Sequence, residues 1–369
     1  MSKHFPQFFF IVVGSLVVIV VSLFARQYLS GQRFSAGALL NYPFVSKTID
    51  EVESLVENEP KRVLDRSTIF ADKPREILKC KGCMTLLVTG DVLPARSVNQ
   101  KTTSSKDFTW PFAKTADFLR SADLTMINLE TPLVPNCNVR TDGMVFCGDQ
   151  RNVEGLKFAG VDVVNYANNH AGNAGKNGVT ETVKLLEGAG FVVSGVNQPV
   201  YKTVNGVRYA FLGYNDVEKY GFIDDVDKEK MSTKITQTRQ NADVVIVQFH
   251  WGEEYRYQPT SRQKDLARFV IDQGADLVVG NHPHWIEPLE WYKDKLIVYS
   301  HGNFVFDQMW STETRLGMVG RYTFQDKQLV DVAFFPIKIE EYGQPRWLEG
   351  KEKRERLEVL ERESGRLVK

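Results

Sequence analysis

Five of the six histidines stand in short polar motifs: Asn168-Asn169-His170, His250-Trp251-Gly252-Glu253-Glu254, Gly280-Asn281-His282-Pro283-His284 and Ser300-His301-Gly302-Asn303. Gly90-Asp91 and Asn128-Leu129-Glu130 have the same character, and each motif follows an apolar run directly. Any one of these histidines reads as well as a hydrogen-bonded structural residue. Together with Asp91, Glu130 and Asn169 they ask for a common partner, because each buried polar side chain costs free energy unless satisfied. One shared cation satisfies several at once. Imidazole with carboxylate and amide oxygen suits zinc, manganese, iron or nickel, whereas calcium takes oxygen alone. His282-Pro283-His284 could direct two imidazoles at adjacent cations, and such a pair activates water for displacement at phosphorus. No cysteine falls in these motifs, which argues against a structural cysteine-type zinc site.

The elements that must position these groups are strands. Val/Ile/Leu-rich runs occur at Thr85–Thr89, Leu124–Asn128, Val161–Tyr166, Phe191–Ser194, Tyr209–Gly213, Asp243–Phe249, Asp276–Val279 and Leu296–Ser300. Continuous runs of this kind suit strands buried on both faces. Helical spacing appears at Ala113–Arg120, Gly178–Gly188 and Ser261–Gln273. Met318–Phe324 and Leu329–Ile339 have no helix between them and read as an antiparallel pair. The alternation predicts an α/β domain over 84–340, and in such sheets functional groups gather past the carboxyl ends of the strands. Residues 341–369 are strongly charged, with only a weak Leu357/Leu360 stripe, and read as a solvated helix or disordered tail.

Residues 8–25, FFFIVVGSLVVIVVSLFA, carry no charge after a short tail of residues 1–7 containing Lys3 and His4. About 18 residues at ~1.5 Å each just span a hydrocarbon layer of ~30 Å. No small-x-small cleavage site follows the run closely, which favours an uncleaved signal anchor over a removed signal peptide. The short tail and large following domain place that domain outside the cell membrane. A polar stalk is expected over 26–80, with a short helix near 48–57.

Lys+Arg and Asp+Glu both number 46, so no global field invites nucleic acid. At 43% hydrophobic and 25% charged the chain has the composition of a folded protein. Its four cysteines form two close pairs, Cys80/Cys83 and Cys137/Cys147. Two local disulfides in an oxidising compartment are the simpler reading, with three connectivities open.

Gly90–Arg96, Asn128–Glu130, Ala167–His170, His250–Tyr255, Gly280–His284 and Ser300–Gln308 resemble, in order and spacing, the motifs of the CapA capsule-synthesis family, associated with poly-γ-glutamate biosynthesis. That family in turn resembles the calcineurin-like metallophosphoesterases. The resemblance implies a four-layer sandwich, two stacked mixed β-sheets flanked by helices, with a metal site at the strand ends. It further implies metal ligation by Asp91, Glu130, Asn169, His250, His282 and His284, and catalytic roles for Asp91 and for His170 as general acid. The phosphoesterase D-x-H pattern is broken, because Leu93 stands where its histidine would be. His301 could compensate for it or lie behind the ligands. Arg96, Asn128, Glu254 and Asn303 are further candidates for orienting ligands or touching substrate.

The function so implied is a membrane-anchored, outward-facing protein of capsule or poly-γ-glutamate synthesis. It would use one or two divalent metals (manganese, zinc or iron) for phosphoesterase-like hydrolysis or transfer. The alternative is a non-catalytic accessory subunit that holds or exports the nascent anionic polymer. Its partners would be the membrane, an anionic polymer or phosphorylated intermediate, and other capsule-synthesis membrane subunits. The chain has no G-x-x-x-x-G-K-[ST] loop to supply ATP chemistry.

Overall fold

A computed structural model describes residues 63–367. The expected tail, anchor, helix near 48–57 and most of the stalk lie outside the described residues. Among the described residues no helix is long and apolar enough to cross a membrane.

The strands are β1 (Cys83–Val92), β2 (Leu124–Leu129), β3 (Leu133–Val134), β4 (Gly148–Asp149), β5 (Val163–Asn165), β6 (Val192–Ser194), β7 (Val200–Val204), β8 (Val207–Asn215), β9 (Val244–His250), β10 (Leu277–Asn281), β11 (Ile286–Tyr292), β12 (Lys295–His301), β13 (Asn303–Val305), β14 (Leu316–Gln325), β15 (Gln328–Glu340) and β16 (Gln344–Trp347). Fourteen of them form one sheet in the order β16-β15-β14-β1-β2-β5-β6, with β13 also paired to β1, and a second in the order β11-β12-β10-β9-β8-β7, while β3 and β4 pair with each other. Both sheets are mixed: β1, β2, β5 and β6 run parallel and β14–β16 antiparallel in the first, while β8, β9, β10 and β12 run parallel between antiparallel edges in the second.

Alternation along each strand builds three apolar layers. Met84, Leu86 and Val88 of β1 join Tyr209, Phe211, Val244, Ile246, Leu277 and Val279 in a core between the sheets. Leu87 packs outward with Ile127 and Val164 under Val98, Phe118, Leu119, Leu156, Val179 and Leu186 of the first sheet's helices. On the other side Val245, Val247 and Val278 pack beneath Met231, Ile235, Leu266 and Val270 of helices Lys228–Arg239 and Ser261–Asp272. The order is therefore helices, sheet, sheet, helices. Asp227 caps the first of these helices, and Thr260 with Gln263 forms a capping box on the second.

Three expectations need correction. The helix expected over Ala113–Arg120 is present but shorter, Ala116–Arg120, and a 3-10 turn, Trp110–Phe112, precedes it. The charged tail is neither solvated throughout nor disordered: Gln344–Trp347 extends the first sheet, and helix Gly350–Leu367 buries Leu357 and Leu360 in the inter-sheet core. The stalk ends earlier than residue 80, because Ile69 is buried, Lys73 pairs with Asp331 at 2.6 Å, and the carbonyl of Glu76 accepts from Arg321. Cys80 is bonded to Cys83, and Cys137 to Cys147, the latter pair closing the loop between β3 and β4.

Candidate metal centre

Strand register lines up the polar exits. Asn303, Asp91, Asn128 and Asn165 stand side by side at the ends of β13, β1, β2 and β5. In the second sheet Asn215, His250 and Asn281 are in register on β8, β9 and β10. The two rows meet: the His282 amide N–H donates to Asp91 Oδ2 at 3.2 Å, and Asn128 Nδ2 lies 3.2 Å from His250 Nδ1. Gly280 lets β10 pass, since a Cβ there would sit 1.9 Å from the Tyr299 carbonyl oxygen and 2.5 Å from Trp251 Nε1. Beyond it His282 and His284 both take positive φ, 97° and 57°. Non-glycine residues hold such conformations only where their surroundings impose them, at a cost of about 1–3 kcal/mol each.

Glu130 lies at the focus. It is fully buried and neither carboxylate oxygen has a hydrogen-bond partner. Its Oε1 is 3.8 Å from His170 Nε2, 3.8 Å from His250 Nε2 and 4.0 Å from His284 Nε2. These separations are too long for hydrogen bonds. They suit donors sharing a cation, since ligands at about 2.0–2.2 Å from one ion lie roughly 3–4 Å apart. Burial, then the charges of Asp91 and Glu254, push the Glu130 carboxyl well above its ordinary range, against the pull of Arg96. Burial and neighbouring imidazoles hold His250 and His282 well below theirs, so both rings are neutral. His282 Nδ1 is buried without a partner. Neutral imidazoles around an orphaned carboxylate fit a divalent cation, which would reverse the penalty on Glu130. Asn169 Oδ1 lies 2.7 Å from His250 Nε2, a hydrogen bond without a metal and a polyhedron edge with one.

Amides behind the ring fix the imidazoles, as orienting partners do at metal sites. Asn173 Oδ1 accepts from the Phe146 amide at 2.6 Å, so His170 Nδ1, 3.0 Å away, must donate to it and leave a lone pair on Nε2. Burial lowers the His170 pKa to about 4. His170 therefore presents a base or a ligand at neutral pH, and the acid role expected of it requires a proton taken up first. Asn303 Nδ2 donates to the Thr314 carbonyl, which leaves Oδ1 to accept from His284 Nδ1 at 2.9 Å and turns His284 Nε2 toward Glu130. Asn128 gives Nδ2 to Asp91 Oδ1 at 2.8 Å and receives Asn165 and Asn168 on Oδ1.

Residues 85–308 match the family described as bacterial capsule synthesis protein PGA_cap. The chain belongs to this family. The capsule biosynthesis protein CapA of Bacillus anthracis is 32% identical, over 71% of this chain and 69% of that protein. The PGA biosynthesis protein CapA of Bacillus subtilis (strain 168) is 34% identical, over 73% and 76%. Among solved structures, one described as a novel phosphatase from Mycoplasma pneumoniae aligns at a TM-score of 0.45 and 13% identity, over 69% of this chain and 94% of that one.

In this PGA_cap chain one candidate stands apart from the donors. His301 is fully buried, with Nε2 2.9 Å from the Tyr322 hydroxyl and Nδ1 3.3 Å from the Gly280 carbonyl oxygen. Both nitrogens are committed, so His301 neither compensates as a ligand nor reaches substrate. Leu93 is buried in the core under the first sheet's helices, not turned toward the donors. Arg96 pairs with Asp307, and its guanidinium lies 4.7 Å from the Phe146 ring centroid. Asn128 and Asn303 hydrogen-bond to Asp91 and His284, as described. Asn165, Asn173 and Phe146 escaped the sequence reading. The Ala-Gly-Asn-Ala-Gly run around Asn173 signals a tight turn there, but no local pattern marks Phe146.

Proposed function

We propose that this PGA_cap protein is tethered to the cell membrane by residues 8–25, faces outward, and acts as a divalent-cation-dependent hydrolase or transferase. Its substrate would be a phosphorylated intermediate or ester of an anionic surface polymer such as poly-γ-glutamate, handled alongside other membrane subunits of capsule synthesis. The observation that carries this reading is Glu130, buried with both oxygens unpaired inside a ring of imidazoles. Asp91, Glu130, Asn169, His250, His282 and His284 would hold one or two ions of manganese, zinc or iron. A cation there supplies a water of lowered pKa and offsets charge on a phosphoryl oxygen. His170 Nε2 takes a proton from the attacking hydroxyl and returns it to the leaving oxygen. Arg96 adds positive charge at the same mouth.

The test is full-length protein assayed for bound transition metal and for turnover of simple phosphomonoesters and phosphodiesters. His282→Ala should lower both metal content and turnover. Metal-free wild-type protein with no His282-dependent activity would sink the proposal.

A second reading is a non-catalytic accessory subunit that binds or exports the nascent polymer. It draws on Leu93, and on a 27% identical Mycobacterium tuberculosis (strain H37Rv) relative described as a probable polyglutamine synthesis accessory protein. Undiminished polymer production by cells carrying a folded His282→Ala protein would favour it over the first.

A further inference from the structure

We infer that Glu254 completes a second, outer cation position with His282 and His284, distinct from the inner one around Glu130. The inference rests on the proposed cation-dependent centre and names how that centre is divided.

Three overlapping donor sets occur: Asp91 with Glu130 and His284, Glu130 with His250 and His282, and Glu254 with His282 and His284. Within each set one ligand atom per residue lies within 4.8 Å of every other. The first two sets are wholly buried and share Glu130; because a neutral imidazole has one lone pair, His282 and His284 would serve the outer ion and leave Asp91, Glu130, Asn169 and His250 to the inner one. The third does not contain Glu130, and the Glu254 side chain is 33% exposed. It therefore lies at the mouth, where a cation keeps open positions for water or substrate.

The placement of Glu254 is built into two loops. The Trp251 amide donates to the Asn281 carbonyl at 3.1 Å, and the Tyr255 amide donates to the Pro283 carbonyl at 2.9 Å. These bonds fasten the loop after β9 to the His282–His284 turn on both sides of Glu254. Tyr255 is held further by Gln308, whose Nε2 donates to its hydroxyl at 3.1 Å, and it takes a positive φ of 62°. The neighbouring Glu253 shows the contrast: its side chain is 60% exposed and pairs with Arg256 three residues on. Glu254 turns the other way, to 3.9 Å from His284 Nε2. That distance exceeds a hydrogen bond and matches two ligands of one ion.

An acidic side chain beside histidines is common without a metal. What separates this one is the histidine beside it, which brings one ring nitrogen within 4.8 Å of the carboxylate. His282 Nδ1 has no hydrogen-bond partner, and the backbone at His282 is held at a φ of 97°. A buried polar atom left unpaired is costly and is rarely retained without a partner. Carboxylate and imidazole at a partly open mouth suit manganese, zinc or iron.

The experiment strips full-length protein with chelator, adds Mn2+ back, and counts bound metal by mass spectrometry after equilibrium dialysis. Wild type should bind two equivalents. Glu254→Gln should bind one, with the outer affinity weakened at least tenfold and thermal unfolding of the stripped protein unchanged. The electron paramagnetic resonance spectrum should change from a coupled Mn2+ pair to an isolated ion. Glu254→Gln with wild-type stoichiometry and affinity overturns this inference and leaves the proposed function standing. Wild type that binds no Mn2+ overturns both.

Discussion

Phe146 stacks on His170, with ring centroids 3.9 Å apart and planes inclined by 29°. Its amide shares Asn173 Oδ1 with that histidine. Phe146 is also next to Cys147, so the Cys137–Cys147 bond holds the segment that roofs His170 and Arg96. Phe146→Ala removes a buried ring, a change that typically costs about 3–5 kcal/mol when the site cannot collapse. The expected outcome is roughly tenfold slower turnover on any phosphoester the protein cleaves, with bound metal unchanged. Paired Cys137→Ser and Cys147→Ser should give the same pattern. Metal loss parallel to the activity loss would show that the loop supports the ligands themselves.

Arg96 and Asp307 form a largely buried pair, with side chains 14% and 4% exposed. Asp307 also accepts from the Ser97 amide at 3.1 Å, at the start of helix Arg96–Ser105. Removing one member leaves an uncompensated charge, which costs about 3–5 kcal/mol, whereas removing both costs much less. Asp307→Ala and Arg96→Met should therefore each lower the urea midpoint strongly, and the double variant should recover part of the loss. Additive losses would mean the two charges do not act as a pair.

Glu287 gives a pH signature away from the donors. It is buried on β11, its Oε2 accepts from Gln263 Nε2 at 2.7 Å, and its Oε1 is unpaired. Burial raises its pKa from 4.5 to about 8. The folded chain therefore keeps this proton across a range in which the unfolded chain has released it. Stability is favoured below pH 4.5 and falls as pH rises toward 8, by up to about 1.4 kcal/mol per unit. Glu287→Gln imitates the protonated form. The gap between Glu287→Gln and wild type in urea unfolding should widen from pH 5 to pH 8. Parallel curves would rule the assignment out.

Much of the centre is legible in the sequence because strand exits are chemically distinctive. Asp91, Glu130, Asn169, His170, His250, His282 and His284 each follow a Val/Ile/Leu run, and the fold brings those exits together. His301 shows the limit: sequence places it at an exit, but not the Tyr322 hydroxyl that takes its Nε2. β11, IEPLEWY, carries two glutamates and a proline and lacks a strand pattern; its pairing with β12 makes it one. Helix Arg96–Ser105 is rich in Ser and Thr, poor helix formers, and is held by Val98 in the core and by Asn99 bonded to Asp149 and Asn152. Such long-range partners leave no local mark.

Helix Gly350–Leu367 covers β11, the strand that leaves His284, and Ser364 Oγ accepts from the Leu289 amide at 3.0 Å. Lys353 reaches back to the Lys73 carbonyl at 2.6 Å. Anyone trimming the gene to residues 85–308 would remove both seams together with β14 and β15, baring Leu86, Val88 and Leu289. A well-behaved soluble fragment should start before residue 63 and run to the last helical turn. Shorter pieces should precipitate, and their inactivity would say nothing about the chemistry of the intact molecule.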